Sequence, residues 1–325
     1  MKDRAQCRSL FLAAGIAALA VPLVVGALPA PRLRAQASAG QPPTPQWQID
    51  AGGEKAFDVV SVKQNTCGPP CPVDGNMPTN PGNVMPPNGG LFRVTNCWLN
   101  SLIAFAFKIY PNQSVASQLP NWAKTYRFDI EARAESNPTK DQMRLMAQSL
   151  LADRFKLAVH HETRQLPVYA LVLDKPRKLG PQLQQHPDDS SCSTALDGAG
   201  VSAPGSAATV DGGFPEICGG VIAWPAAQSA DGLWRDGARN VTMELIAITL
   251  TGGVDRPVLD KTGVTGRFGF FIKFTQQRPL GVDDQPDSGP TFLEAVKEQL
   301  GLKFEPTTGP VDVLVIDHVE EPSEN

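Results

Sequence analysis

Pro167-Val168-Tyr169-Ala170-Leu171-Val172-Leu173-Asp174 is matched near the end of the chain by Pro310-Val311-Asp312-Val313-Leu314-Val315-Ile316-Asp317. Both stretches are apolar runs enclosed by a proline and an aspartate. Two earlier landmarks recur in the same order, Asn96 before Arg127-Phe128 and Asn240 before Arg267-Phe268. Corresponding positions lie about 140 residues apart, which predicts two copies of one small domain.

The periodicity of the apolar residues predicts the same elements in each copy. The first copy has strand Leu91–Thr95, a helix from Leu99, strand Tyr126–Ala134, a helix after Thr139, a strand around Phe155–Val159 and a returning strand Val168–Leu173. The second has helix Met243–Leu250, strand Arg267–Thr275, helix Phe292–Leu300, a short strand Leu302–Phe304 and a returning strand Val311–Ile316. Each unit is therefore predicted as β-α-β-α-β-β, and the fold class as α+β.

Changes in composition suggest where these units begin and end. Residues 1–37 are predicted as a signal peptide and residues 38–54 as a disordered leader. Residues 55–175 form the first α+β unit with its N-terminal strand and loop. Residues 176–236 are rich in Gly, Ser and Ala and predict a cysteine-bearing linker. Residues 237–325 form the second unit.

The first 37 residues have the features of a targeting segment. Lys2, Arg4 and Arg8 precede an uncharged apolar run, and Ala35-Gln36-Ala37 predicts cleavage before Ser38. An uncleaved anchor is the alternative, because the run approaches the roughly 20 residues that a membrane-spanning helix needs. Either reading predicts an exported protein, periplasmic or extracellular, that contacts the membrane only if this segment is retained.

The net charge and composition of the chain limit the classes of partner that it is expected to bind. The chain has 325 residues and a net charge of −4. Nucleic-acid binding requires clustered basic side chains that meet phosphates, and this sequence has no such cluster. The hydrophobic fraction of 42% is sufficient for ordinary cores. A folded protein that does not bind nucleic acid is expected.

Five of the cysteines lie beyond the predicted signal peptide. Cys67 and Cys71 bracket a short loop, and Cys192 and Cys218 lie in one irregular segment, so both pairs are disulfide candidates in an oxidising compartment. Cys97 lies among apolar residues and is predicted to be free and buried. The alternative, a zinc site built from four thiolates, does not fit the spacing of the usual paired knuckles.

Several stretches resemble an uncharacterised secreted family that is abundant in soil bacteria, especially acidobacteria. The stretches that carry this resemblance are Phe57–Lys63, Leu150–Leu157, Pro257–Phe268 and Glu298–Leu302. The resemblance covers nearly everything after residue 55, and it implies no activity. Some relatives resemble fusions to a membrane metallopeptidase of the antibiotic-sensor type. The order of elements also resembles the short N-terminal domain of secretins and TonB-dependent transducers, which implies a helix-covered sheet ending in a hairpin.

No complete catalytic set is found, so the sequence predicts no catalytic residue, no cofactor and no metal. His161-Glu162-Thr163-Arg164-Gln165 begins like a zinc-peptidase motif, but the second histidine is replaced by Gln165 and the segment is not helical in pattern. His160 and His161 are adjacent and would face opposite sides of a strand. His318 follows Asp317, which could orient its ring, but no nucleophile can be placed beside it.

The candidate binding residues are Trp122, Asp260, Lys261, Thr262 and Arg267. The run from residue 260 to residue 267 combines a carboxylate, two cations and two hydroxyls with flexible glycines. Its structural alternative is a turn in which Asp260 and Thr262 bind nearby backbone groups. Arg127 and Arg267 are equivalent in the two copies, which favours a role in the fold.

Three functional hypotheses follow from these features. The first is an exported, non-enzymatic interaction or sensor module whose partner is an envelope protein such as a sensor peptidase or signalling protein. The second is a small-molecule or glycan-binding protein with its site between the two units. The third is a hydrolase of unfamiliar type, testable at His161, His318 and Asp260. Any site is expected where the copies differ: at 160–164, 192–218 and 260–267.

Overall fold

A computed structural model of the protein describes residues 44–67, 71–85, 87–109, 115–187, 218–224, 231–275 and 289–322. The first half contains helices α1 (Gln46–Asp50), α2 (Leu99–Ala106), α3 (Asn121–Thr125) and α4 (Lys140–Arg154). Its strands are β1 (Val59–Asn65), β2 (Asp74–Gly75), β3 (Leu91–Trp98) and β4 (Arg127–Arg133). The strands form an antiparallel sheet in the order β1-β4-β3-β2.

The second half repeats this arrangement. Its strands are β6 (Leu183–Gln185), β7 (Val221–Trp224), β8 (Trp234–Val241) and β10 (Phe268–Phe274), and its helices are α5 (Met243–Leu250) and α6 (Phe292–Leu300). The sheet order is β6-β10-β8-β7, which matches β1-β4-β3-β2 strand for strand. Helices and sheets are mixed in both halves, so the predicted α+β class is confirmed. The shared order is what an internal duplication would produce, and the duplication itself stays a prediction.

The two halves also share a backbone irregularity. Asn96 and Asn240 both have positive φ, +55° and +53°, just before helices α2 and α5. The pairing of β3 with β4 shifts register beside Asn96, and the pairing of β8 with β10 shifts beside Asn240. Asparagine tolerates the left-handed region better than most residues. The Asn residues that carried the sequence repeat therefore mark equivalent bulges.

Both long helices begin with the same reciprocal cap. Thr139 accepts a hydrogen bond from the backbone of Gln142, whose side chain accepts from the Thr139 N–H, as the sequence predicts. Thr291 and Glu294 form the same box at α6. Among the described helices the longest, α4, has 15 residues, and none is long and apolar enough to cross a membrane.

The two returning hairpins predicted from the sequence are wrong. Ala158–Leu173 is one strand of 16 residues, β5, and Leu302–His318 is one strand of 17 residues, β11. They pair antiparallel along nearly their whole length, and β9 (Val258–Asp260) adds in parallel to β5, so this sheet is ordered β11-β5-β9. The hairpin implied by the resemblance to secretin domains is accordingly not found among the described strands.

The physical reason lies in the middle of the ladder. The stretch 161–165 is polar, a composition that favours a turn between two strands. Its side chains 163–165 are exposed, however, and a strand exposed in this way keeps its pairing without an apolar pattern. Pro167 lies outside the short β9 pairing, where its missing N–H breaks no ladder bond on that side. Polar composition alone therefore did not end the strand.

The long ladder connects two hydrophobic cores. The first core contains Phe92, Phe128 and Phe155 and receives Leu314 from the end of β11. The second contains Phe268, Phe270 and Leu302 and receives Leu171 from the end of β5. Each half thus contributes a strand end to the other's core, and the described residues belong to one compact unit.

Two predicted intervals also differ from the structure. The interval 38–54 was predicted as a disordered leader, but Gln46–Asp50 is helical and the Trp47 ring lies over the Lys108 ammonium, 4.4 Å from nitrogen to ring centre. The interval 176–236 was predicted as a linker, but it contains β6, β7 and the start of β8. These strands were missed because β6 and β7 are short and because β6 and β8 pair with distant β10, while β7 pairs with β8.

Candidate functional site

A cavity of about 1460 Å³, here called the main cavity, lies between the two halves. Its floor is the middle of the β5–β11 ladder, with His161, Val311 and Asp312. The first wall comes from the first half and includes Trp47, Lys108 and Lys140. The second wall comes from the second half and includes Glu244, Asp260, Lys261 and Arg267. Three of the five predicted binding residues therefore line one cavity.

The second wall ends in a tight turn after β9. Asp260 Oδ1 accepts hydrogen bonds from the Thr262 N–H at 2.9 Å and the Thr262 hydroxyl at 2.8 Å. Gly263 follows with φ of +67°, a conformation that glycine adopts without strain. The Lys261 N–H donates to the Leu171 carbonyl at 2.9 Å, which ties the turn to β5. Asp260 and Thr262 thus build the turn, and Lys261 between them is exposed at the cavity.

Arg267 lies at the same wall, immediately before β10. Its side chain is exposed, and within the described residues neither its guanidinium nor the Lys261 ammonium forms a salt bridge. The equivalent Arg127 lies over the Trp98 ring and donates to the Asn96 carbonyl at 3.4 Å. The place of Trp98 is taken in the second half by Thr242, which caps α5 instead. Among the residues that the structure describes, Arg267 therefore stacks on no aromatic ring.

The two lysines of the first wall are buried to different extents. Lys140 is completely buried, and its ammonium donates to the carbonyl of Asn80 at 2.7 Å and to the side-chain oxygen of Asn80 at 3.3 Å. Burial, followed by repulsion from Arg144, lowers the pKa of Lys140 to about 7, although Asp141 opposes the shift. Burial also lowers the pKa of Lys108, which is paired with Asp141 at 2.8 Å.

These cations outnumber their carboxylates. Lys108 and Arg144 both contact Asp141, at 2.8 Å and 2.5 Å, while Lys140 donates to the neutral oxygens of Asn80. Buried basic groups are costly and concentrate at functional sites. The first wall accordingly brings buried basic groups together, which the sequence did not reveal because Lys140 and Lys108 come together only through the fold.

The histidines pair with acids along the ladder. His161 Nδ1 lies 3.0 Å from Asp312 Oδ2 across β5 and β11, at the cavity floor. His160 points elsewhere and contacts Asp317 at 2.9 Å and Glu162 at 3.1 Å, which raises its pKa. The segment 160–164 is strand, so the zinc-peptidase pattern has no helical face on which to place two ligands.

Trp122 is not part of the main cavity. Its ring packs against the first hydrophobic core, 6.4 Å from the ring of Tyr126. The interpretation that placed Trp122 beside the 260–267 turn is therefore not supported by the geometry. A different tryptophan, Trp47 of α1, occupies the edge of the cavity. It was missed because its segment was predicted to be disordered.

A second cavity of about 460 Å³, here called the small cavity, also lies between the halves. Asp236 of β8 lines it together with Lys108 and Arg144 from the first half. Burial raises the pKa of Asp236 to about 6, and the Trp234 indole N–H donates to its carboxylate at 2.9 Å. The sequence did not single out Asp236, since it fell inside the predicted linker.

The cysteine predictions are largely confirmed. Cys67 and Cys71 form a disulfide with their Cα atoms 5.9 Å apart. Cys97 is free and buried, and burial raises its pKa to about 11. Cys218 is disulfide-bonded and lines the main cavity. Cys192, its predicted partner, lies outside the described residues.

Comparison with known proteins identifies a family. Residues 100–319 match the model of a domain family described as "Protein of unknown function (DUF3738)". The chain belongs to the DUF3738 family. No curated protein and no solved structure matches it significantly.

The DUF3738 segment contains most of the site. It includes Lys108, Lys140, the ladder and the entire second wall with Asp260, Lys261 and Arg267. It begins after β3, so Trp47 and the residues 82–85 that complete the first wall lie outside the matched segment. The cavity is therefore assembled chiefly from family residues, with an edge supplied by the preceding part of the chain.

Proposed function

We propose that this protein is an exported binding protein for a small polar molecule that carries an anionic group, such as an acidic sugar, and that the main cavity is its site. The observation that supports this proposal is that separate segments of the chain come together at the main cavity. Three segments in which the two copies differ each contribute to this one cavity: His161, Cys218 and the 260–267 turn. Clefts between packed units are common locations for ligand sites.

The charges around the cavity favour an anionic group. The described lining has three carboxylates, those of Glu244, Asp260 and Asp312. Asp312 pairs with His161, and Asp260 is bound within its own turn. Lys261 and Arg267 are exposed and form no salt bridge within the described part of the chain. Arginine and lysine beside a concave polar surface are typical partners of carboxylates and phosphates.

Thermal denaturation with defined acids tests the proposal. D-glucuronate, citrate and inorganic phosphate are compared with neutral D-glucose on the purified chain. A true ligand at about 100 times its Kd contributes about 2.7 kcal/mol and raises Tm by roughly 5 °C. The double variant Lys261→Ala/Arg267→Ala is expected to lose this rise. Its matched control, Lys124→Ala/Arg133→Ala, removes one exposed lysine and one exposed arginine outside the cavity lining and should retain it.

Two results count against the proposal. One is that none of the acids raises Tm in the unmodified chain. The other is that the double variant keeps the full rise, which would place the ligand elsewhere.

The interaction-module hypothesis is favoured by a different feature. Among the described strands β1 lies at the end of its sheet and pairs with β4 alone, and Val59 at its start is 67% exposed. An open strand edge is a surface to which an extended peptide of an envelope partner can add. Val59→Pro, with Val73→Pro as an exposed-valine control, should reduce capture of such a partner after gentle crosslinking. Equal capture by both variants would exclude this edge.

Export rests on the predicted signal segment and on the Cys67–Cys71 disulfide, a bond typical of oxidising compartments. N-terminal sequencing of the protein from a fractionated cell should begin at Ser38 in the envelope or medium fraction. Recovery of an unprocessed chain in the cytoplasm would contradict export.

A further inference from the structure

The small cavity carries a charge arrangement that the proposed function does not use. It lies between the halves and has a volume of about 460 Å³, within the range of small-molecule sites. It shares Lys108, Ile109 and Ile248 with the main cavity, but its other lining residues are its own. Beside this cavity the side-chain amide of Asn80 in the first half donates a hydrogen bond to the Val221 carbonyl of the second half at 2.8 Å.

One side of the small cavity is acidic. Asp236 is half-buried on β8, and within the described residues the Trp234 indole N–H donates a hydrogen bond to its carboxylate at 2.9 Å. No lysine or arginine of the described chain lies within salt-bridge distance of it. A carboxylate removed from water in this way is costly unless a cation or several donors meet it. The raised pKa of Asp236, about 6, expresses that cost.

The first half contributes two cations to the small cavity. Lys108 and Arg144 line it from α2's end and α4, and they share the carboxylate of Asp141. Within the described residues Asp236 forms no salt bridge with either of them, so a carboxylate and two cations line one cavity without being paired to each other.

Much of the remaining lining of the small cavity is apolar. Side chains of both halves contribute to it: Ala104, Phe105, Ile109, Val115, Val221 and Ile248. Such a surface suits an aliphatic or aromatic group. The cavity therefore presents an anion, an apolar surface and a set of cations.

We propose that the small cavity is a second ligand site that takes an amphipathic zwitterion of amino-acid type, with its ammonium group at Asp236 and its carboxylate toward Lys108 and Arg144. This site goes beyond the anion site proposed for the main cavity. It binds a different chemical class and depends on a residue, Asp236, that the main cavity does not contain.

Isothermal titration calorimetry with matched probes tests this inference. L-leucine, L-methionine and L-phenylalanine are titrated into the purified chain. The leading binder is then compared with its two truncations, for leucine 3-methylbutylamine without the carboxylate and 4-methylpentanoate without the ammonium group. Each truncation is expected to bind about tenfold more weakly or worse, because one charge-assisted contact is lost.

Two variants test separately the contacts proposed for the ammonium group and for the carboxylate of the ligand. Asp236→Asn should weaken the amino acid and the amine by about tenfold or more, while leaving 4-methylpentanoate unchanged. Lys108→Met should weaken the amino acid and 4-methylpentanoate but leave the amine unchanged. Asp255→Asn is the control, since Asp255 is exposed, ion-paired with Arg256 and outside both cavities.

The pH dependence provides an independent readout. An ammonium ligand binds the ionised form of Asp236, so affinity should fall as pH drops below about 6. Lys108 and Arg144, the other charged groups of this cavity, are the same in the unmodified chain and in Asp236→Asn, so a dependence that this variant removes does not come from them. The dependence should disappear in Asp236→Asn.

The inference is overturned if none of the amino acids binds, if the truncated probes bind as well as the amino acid, or if Asp236→Asn binds normally. Its failure is distinguishable from failure of the main-cavity proposal, because Lys261→Ala/Arg267→Ala should leave leucine binding intact and Asp236→Asn should leave the acid-induced rise in Tm intact.

Discussion

Arg127 in the first half and Arg267 in the second occupy equivalent positions: Arg127 begins β4 and Arg267 immediately precedes β10, and each of these strands pairs with a strand that contains an Asn bulge. Arg127 lies over Trp98 and binds the Asn96 carbonyl. Arg267 is exposed at the main cavity, and Thr242 replaces the tryptophan. A single change of partner thus converts an arginine that serves the fold into one that is available for a ligand.

This contrast refines an inference drawn from symmetry. Two arginines retained at equivalent places suggest a shared structural role, and that interpretation holds for Arg127. For Arg267, which forms no salt bridge or ring contact in the described part of the chain, we propose a role at the ligand site instead, because what an arginine does depends on the residue that it faces. The two halves share a backbone arrangement. The side chains at equivalent positions differ, however, and these side chains determine where a site can form.

The largest effect is expected in the cores, where the halves should behave alike. The exposed fractions of Phe128 and Phe268 are 2% and 1%. In the strand ladders these residues are opposite Cys97 and Val241, at the two bulges. Phe→Ala at either position should lower the free energy of unfolding by about 3–5 kcal/mol, through lost burial and the cavity left behind. Urea denaturation measures both. A loss confined to one variant would break the equivalence of the halves.

The next largest effect on stability is expected at the first residue of helices α4 and α6, where the two halves differ. Lys140 is buried after Thr139, whereas Phe292 follows Thr291 in the second half. The pKa of Lys140 in the folded state, about 7, is below its ordinary value of 10.5, so between these pH values the unfolded chain binds more protons and stability rises with pH.

Lys140→Met should remove that rise. The difference in unfolding free energy between the unmodified chain and the variant should grow by up to about 1.4 kcal/mol per pH unit across this window. Urea denaturation at several pH values measures it. Lys124→Met, at an exposed lysine, should leave the slope unchanged, and a parallel pH dependence in Lys140→Met would show that Lys140 is charged and tolerated.

The smallest effect on stability separates the two arginines directly. Arg127→Ala should cost about 1 kcal/mol, because it loses a cation–π contact and a hydrogen bond. Arg267→Ala should change stability by less than about 0.5 kcal/mol, as expected for an exposed side chain without a partner in the described fold. Thermal denaturation at one pH compares them. Equal losses would mean that Arg267 has a structural role after all.

The sequence predicted the elements whose signals are local. The capping boxes at Thr139 and Thr291, the apolar faces of α2 and α5 and the Cys67–Cys71 disulfide all depend on neighbouring residues. The lengths of β5 and β11 were not predictable in this way, because strand pairing between distant segments supports a polar stretch that resembles a turn.

The same distinction applies to the site. Asp260, Lys261 and Arg267 were found because they belong to one dense polar run of the sequence. Lys140 and Asp236 were not found, since their perturbed pKa values arise from burial between the halves, a consequence of packing that no local pattern records. Charged residues inside a chain become informative only when the fold shows what surrounds them.

The most direct test of the main-cavity proposal compares the rise in Tm caused by the acidic ligand in two single variants, Arg127→Ala and Arg267→Ala. The predicted result is a crossed one. Arg127→Ala should melt at a lower temperature and keep the full ligand-induced rise, whereas Arg267→Ala should melt like the unmodified chain and lose most of the rise. An equal ligand-induced rise in both variants would contradict the assignment of Arg267 to the ligand site.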